Sequence, residues 1–271
     1  MSKRLLVSGV VTLALLVTIS TGCGSSQNDW VIRLDRLRVD DAQEEDWYSD
    51  GDEPYFVVIG FRSTFDTPGS TSAFWGGHLD DEWAEGSYDG DEHDIPARMG
   101  VVSFPAVEYV STDELRVGTK PEVIGALVIA LESDSTPWGT VRDIAEDLRN
   151  SVEEEARRLI ENRPVDATIE FEDVEQAVEN VRGNIDVDFW DVVESFGDFE
   201  DVVGTHVFIF VPTVTWREPE FPDDEVEQGA HIGALYEQLF TWPDDPIRFQ
   251  GAGATYLVDV AVDSVPPTPT P

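Results

Sequence analysis

The sequence predicts a mainly-β fold with an α-helical insertion (α+β): a β-sandwich-like domain with helices at about residues 139–199. Three observations carry this. Runs with period-two or continuous apolar character occupy the chain up to about residue 131 and again from residue 205. Between them the apolar spacing changes to three and four. Repeated strand–helix units, which a parallel doubly wound sheet requires, are missing. Hydrophobic residues make up 41% of the chain, enough for a core and too many for an acidic disordered tail.

Each element follows in order. Trp30–Val39 alternates, with Trp30, Ile32 and Leu34 on one face and Arg33 and Asp35 on the other, as a half-buried strand does. Tyr55–Phe61 is a second β-rich run between Pro54 and the turn residues 67–70 (TPGS). Residues 76–100 are rich in Gly and Asp and read as a long acidic loop, followed by short strands at Val101–Phe104 and Val107–Val110. Val123–Leu131 is continuously apolar, as in a strand buried on both faces; periodicity alone leaves a helix open there.

From Thr140 the residues Val141, Ile144, Ala145, Leu148, Val152, Ala156, Leu159 and Ile160 form one apolar stripe of a helix, with Thr140 and Asp143 as its capping pair. Further helices are expected at Asp173–Arg182 and Asp188–Phe196. Thr205–Trp216 returns to alternation, with Pro212 marking an edge or a bulge. Residues 217–230 read as an acidic loop, and Ile247–Gln250 and Thr255–Val262 as closing strands.

The N-terminus reads as an address. Lys3 and Arg4 precede an apolar run from Leu5 to Ile19, then Ser20, Thr21, Gly22 and the lone cysteine, Cys23. This arrangement resembles a prokaryotic lipoprotein signal, with Ser20 where leucine is usual in the lipobox. The resemblance implies that Cys23 is the lipidated first residue of the mature chain. Two acyl chains would hold it stably in a membrane. A plain signal peptide with a free Cys23, or an uncleaved anchor, is the alternative. The expected organisation is a signal peptide at 1–22, the lipidated cysteine and tether at 23–29, a β-rich domain at 30–263 carrying the insertion at 139–199, and a Pro-rich tail at 264–271. A β domain followed by a separate α+β domain is the other division.

With 56 Asp and Glu against 17 Lys and Arg, the formal charge is −39. Losing residues 1–22 removes Lys3 and Arg4 and no carboxylate, which takes it to −41. Such a chain repels phosphate backbones, so nucleic acid is excluded as a partner. An anionic membrane surface is disfavoured except through a covalent anchor. Self-repulsion on this scale suits concentrated salt, where the Debye length falls to about 3 Å at 1 M. A dedicated calcium load is the rival explanation, and the two are compatible.

The densest acidic cluster, Asp40, Asp41, Glu44, Glu45, Asp46, Asp50, Asp52 and Glu53, lies between the first two strands. Calcium wants six to eight oxygen ligands from a flexible loop, so this is the candidate cation site; a solvated acidic loop is the plainer reading. Gly51-Asp52-Glu53-Pro54-Tyr55-Phe56-Val57 resembles the G-x-S-D-P-Y-V segment that follows the first calcium loop of C2 domains. Glu132-Ser133-Asp134 with Asp143 is similar to the second C2 calcium loop. The resemblance implies Ca2+ as a cofactor, with Glu53 and Asp46 as ligands from the first loop and Glu132, Asp134 and Asp143 from the second. Asp50 and Asp52 complete the candidate set. Glu replaces the family's Asp twice, and Asp143 also fits the helix.

His78, His93, His206 and His231 form no compact metal motif, and His206 reads as structural. No G-x-S-x-G, S-x-x-K or Gly-rich phosphate loop is present. Trp30, Trp190 and Trp216 fall in periodic segments and read as core. Trp47, Trp75, Trp83, Trp138 and Trp242 fall in loops, open to an aromatic platform. The expectation is an exported lipoprotein, anchored on the outer (extracytoplasmic) side of a membrane, that acts as a non-catalytic binding or structural module stabilised by calcium. A secreted hydrolase using loop carboxylates and His78 or His93 is the first alternative. A solute-binding component of a transporter is the second. A protein or glycan partner is not specified by the sequence.

Overall fold

The structure, a computed structural model, describes residues 27–42, 51–76, 83–84, 86–111, 120–133, 138–162, 201–216, 230–234 and 246–265. The chain is mainly β, as the apolar patterning predicts. Its elements are β1 (Gln27–Asp41), β2 (Pro54–Thr64), β3 (Ser72–Trp75), β4 (Glu92–Asp94), the single turn α1 (Ala97–Gly100), β5 (Val101–Glu108), β6 (Val110–Ser111) and β7 (Glu122–Glu132). There follow α2 (Trp138–Ala156), continued by a π-helical turn (Arg157–Glu161), then β8 (Asp201–Phe210), β9 (Pro212–Trp216), β10 (Ala230–Ala234), β11 (Ile247–Gly251) and β12 (Ala254–Val265).

Two antiparallel sheets face each other. The outer sheet runs β11-β12-β1-β4, with β5 also paired to β1; the middle sheet runs β3-β2-β7-β8. A small third sheet, β10-β9-β6, includes one parallel pair. Alternation along β1 buries Trp30, Ile32, Leu34, Leu37 and Val39 and turns Arg36 and Arg38 to solvent. On that solvent side Arg33 pairs with Asp263, and Arg36 with Glu92 and Asp94. Exposed pairs of this kind contribute about 0–1 kcal/mol each; they keep the acidic face of a β-sheet from being all one sign.

The middle sheet has no solvent face along its two central strands. Every residue of β7 is buried, and β2 is buried from Pro54 to Phe61. One side meets the outer sheet and the other meets α2, whose Val141, Ala145, Leu148, Val152, Ala156 and Ile160 are all at most 1% exposed. The continuously apolar run at 123–131 is therefore a strand between two covers, not a helix. Each large side chain so covered adds about 1.5–3 kcal/mol to the folded state.

The structure corrects several local expectations. The segment 76–100 is not a loop throughout: β4 and α1 lie in it, and Ser87 forms a β-bridge to Asp52. The two short strands expected at 101–110 are one strand, β5, bulged at Pro105-Ala106. Asp29 lies opposite the bulge, Ala106 has φ of 50°, and its amide bonds to Asp29 Oδ1 at 2.8 Å instead of to the ladder. α2 begins at Trp138, so Thr140 falls in its first turn and not at its cap. The run 205–216 is two strands, because the chain leaves the middle sheet at Val211 and Pro212 opens β9 in the small sheet. Strand β1 starts at Gln27 and β12 ends at Val265, slightly beyond the β-rich limits of 30 and 263. Gly251-Ala252-Gly253 is a hairpin connection: Ala252 and Gly253 both have positive φ (48° and 90°), the conformation of a tight two-residue turn. The helices expected at 173–182 and 188–196 lie outside the described residues.

The π turn has a mechanical role. The Asn162 amide bonds back to the Arg157 carbonyl at 2.9 Å, and this wider turn delivers Glu161 to the loop joining β2 and β3. There Glu161 Oε1 accepts from the Gly69 amide at 2.8 Å and Oε2 from the Thr71 amide at 2.9 Å. Hydrogen bonds from the Thr71 side chain and the Gly69 amide hold this carboxyl below its ordinary value, against the opposing effect of burial. A carboxylate whose folded pKa is depressed stabilises the fold above its unfolded pKa, and that stability is lost as pH falls through the folded value. Glu161→Gln is therefore expected to cost about 1–3 kcal/mol at neutral pH. In urea unfolding the gap between variant and wild type should shrink as pH falls below the ordinary glutamate range. A gap that stays constant on acidification would refute the clamp.

Candidate functional site

Of the residues expected to carry function, Cys23, Asp46, Asp50 and Asp134 lie outside the described residues. The other three expected cation ligands, Asp52, Glu53 and Glu132, are brought to one end of the middle sheet. Register does this: Pro54 at the start of β2 pairs with Glu132 at the end of β7, and Glu132 pairs with Asp201 at the start of β8. The Ser133 amide then bonds to the Glu53 carbonyl at 3.2 Å, extending the ladder one step past the strands. Two acidic segments far apart in sequence thus meet on neighbouring strands. Glu132 is buried at 2% exposure and Glu53 is half-buried. Asp201 shares the position and was not singled out from sequence; the acidic run Asp198-Phe199-Glu200-Asp201 at the head of a strand was the available signal. Asp143 is an exposed residue of α2, so the helical reading of that residue holds.

Asp52 differs from its neighbours. It is fully buried, its amide and carbonyl both pair with Ser87 at 2.9 Å, and its Oδ2 accepts from the buried Tyr256 hydroxyl at 2.9 Å. The carboxylate therefore faces β12 of the outer sheet and ties the acidic segment to it. Gly51 makes this approach possible: with φ of 85°, a side chain there would come within 2.8 Å of the Gly86 backbone and 2.9 Å of Ser87. Among the described residues, no three His, Cys, Asp or Glu side chains stand together as a metal-holding group. Glu132 stands opposite Pro54 and Glu53 opposite Ser133, so the two glutamates leave opposite faces of the middle sheet at its acidic end, with Asp52 engaged by Tyr256.

Beside Asp52, among the described residues, lies a contact that looks like catalytic machinery. His93 of β4 has Nε2 2.9 Å from Ser87 Oγ, and its ring stands edge-on to Trp83. Sequence gave no signal for Ser87. The serine hydroxyl donates its proton to the Ala84 carbonyl at 2.5 Å, so His93 Nε2–H must be the donor to Ser87. That polarity is the reverse of a nucleophile activated by a base, and Ser87 is 1% exposed.

No protein-family model, curated protein or solved structure matches the chain. What the protein does is therefore read from its own residues.

His206 lies in β8 with its ring 4.7 Å from Phe208, a packing role as expected. Trp30 is core, also as expected. Trp75 is not a loop residue: it belongs to β3 and donates to Glu146 of α2 at 3.4 Å. Trp138 opens α2, and Trp83 packs against the core beside Phe56. These placements do not assemble an aromatic platform among the described residues. His78, Trp47, Trp190 and Trp242 lie outside them, as do the side chains of His231 and Trp216. Among the described residues no helix is long and apolar enough to cross a membrane.

Proposed function

We propose that this chain is an exported lipoprotein, anchored through Cys23 on the outer side of a membrane. It works as a non-catalytic binding or structural module, adapted to high salt and stabilised by calcium at the acidic end of its middle sheet. One observation supports the reading: the register brings the Asp52-Glu53 segment and Glu132 to one end of the middle sheet, next in sequence to the acidic stretches holding Asp46, Asp50 and Asp134. A calcium ion takes several hard oxygen ligands, and the acidic stretches next in sequence to these strand ends are rich in carboxylates. The hydrolase alternative finds its best geometry in Ser87 and His93, where the direction of the proton works against it. No observation favours the transporter component.

The test is thermal unfolding of the full chain in detergent, stripped of metal. Saturating a site at a hundredfold its dissociation constant adds about 2.7 kcal/mol, or about 5–10 °C in midpoint for a protein of this size. Sub-millimolar calcium is expected to produce that rise where NaCl of equal ionic strength does not. Glu53→Gln with Glu132→Gln should remove the calcium response and leave the response to molar NaCl. If only molar NaCl raises the midpoint, calcium leaves the account and the acidity is environmental.

A further inference from the structure

The middle sheet ends in two edge strands, β8 and β3, and the structure treats them differently. β11 packs against the start of β8, so closely that a side chain on Gly251 would come within 2.8 Å of the Val203 carbonyl. Among the described residues β3 pairs with β2 alone. The Gly76 amide bonds to the Val58 carbonyl, so the alternation of the ladder turns the backbone groups of Phe74 and Ser72 toward β2. Those of Thr71, Ala73 and Trp75 point outward, where a bare edge invites another strand.

Side chains of α2 and its π turn stand in that place. The Thr71 amide donates to Glu161 Oε2 at 2.9 Å. The Ala73 amide donates to Glu153 Oε2 at 3.4 Å, and the Ala73 carbonyl accepts from Arg149 Nη1 at 3.4 Å. The Trp75 indole donates to Glu146 Oε2 at 3.4 Å. Glu146, Arg149 and Glu153 follow the three-and-four spacing of one helix stripe, and the extra residue of the π turn keeps Glu161 on it. Neighbouring charges aim the stripe: Glu146 pairs with Arg149, and Arg157 takes Glu153 Oε1, leaving Oε2 for the strand. The helix thus does for β3 what a further strand would do, with side chains in place of backbone.

We propose that β3 is a strand-addition edge for a second copy of this chain, and that the α2 stripe holds it shut. Ala73 offers one donor and one acceptor at the middle of the edge. A copy turned about a two-fold axis through Ala73 presents the same pair reversed, so each amide meets the other's carbonyl. Residues 72–75 (SAFW) carry neither charge nor proline to oppose that contact. With a formal charge of −39 on each copy, repulsion protects the edge in dilute salt. In about 1 M NaCl that repulsion is screened beyond about 3 Å, and the stripe must keep the copies apart.

Arg149→Ala with Glu153→Ala tests this in the full chain, held in detergent. Sedimentation in about 1 M NaCl, the screened condition, is expected to show the wild type monomeric and the double variant dimeric as concentration rises. Hydrogen exchange of the peptide carrying Thr71–Trp75 should quicken several-fold in the dilute variant. Adding Ala73→Pro removes the outward N–H, which an edge strand tolerates, and should return the variant to monomer. A double variant that stays monomeric overturns the proposal, whatever its exchange. So does a dimer that survives Ala73→Pro, because its contact lies elsewhere. Should the double variant not fold, Glu153→Ala alone carries the same expectation. Should the proline variant not fold, Ser72→Lys replaces it, setting a charge at an exposed position of the edge.

Discussion

Glu122→Ala is expected to lower stability by about 3–5 kcal/mol, the cost of leaving one half of a buried ion pair without its partner. Glu122 is 8% exposed and serves three donors. Its Oε1 accepts from Arg62 Nε at 2.6 Å and also meets an Nη of the same guanidinium, and its Oε2 accepts from the Glu108 amide at 3.0 Å. Arg62 in turn donates to the Pro105 carbonyl at 3.0 Å, on the β5 bulge. One carboxylate therefore joins β2 and β7 of the middle sheet to β5 of the outer sheet. Alanine would strand both the guanidinium and the amide. Glu122→Gln keeps an acceptor for one of them and should cost less, about 1–2 kcal/mol. Urea unfolding followed by tryptophan fluorescence measures both. An alanine variant within about 1 kcal/mol of wild type would mean that the two sheets do not depend on this staple.

Gly60→Ala is expected to cost about 3 kcal/mol, the upper range for forcing an extra methyl into a packed core. The added carbon would lie 2.4 Å from Val102 Cγ1 and 2.9 Å from the Phe74 ring. The same valine also fills the space at Gly76, where a side chain would come within 2.3 Å of its Cγ2. Val102 of β5 is thus a knob from the outer sheet seated between two glycines of the facing layer. Val102→Ala removes the knob at its own cost, but it should also relieve the clash, so the double variant should be more stable than the two single costs predict. A coupling of at least about 1 kcal/mol is expected. Strict additivity would show that the sheets simply move apart to admit the methyl group.

Much of this architecture is legible in the sequence because it is local. Val123–Leu131 announces a doubly covered strand by having no polar residue at all, and α2 announces itself by the stripe from Val141 to Ile160. What stayed hidden depends on partners far along the chain. Nothing near Pro105 and Ala106 says that Asp29 will cap a bulge there. Nothing near Val211 says that the chain will change sheets. β4 is three residues in an acidic stretch and exists because β1 offers it an edge. The candidate site depends on distant partners in the same way. The pairing of the segments around Glu53 and Glu132 comes from the β2–β7 register, for which neither segment carries a local signal. The burial of Asp52 was not legible either, because an aspartate reads as solvent-facing unless its phenol donor, two hundred residues on, is known. Ser87 carries no sequence signal, and its importance comes wholly from the bridge to Asp52.

Among the described strands, β1 and β12 are the paired strands farthest apart in sequence, with Trp30 opposite Ser264 and Val39 opposite Tyr256. Strand β1 therefore waits for β12 before this ladder can close, and the loop to be closed spans more than two hundred residues. Until then β1 has only β5 and β4 beside it, and the outer sheet has no centre. In a chain wired in this way the middle sheet and α2 can form early, while the outer sheet stays open until β12 is free to pair.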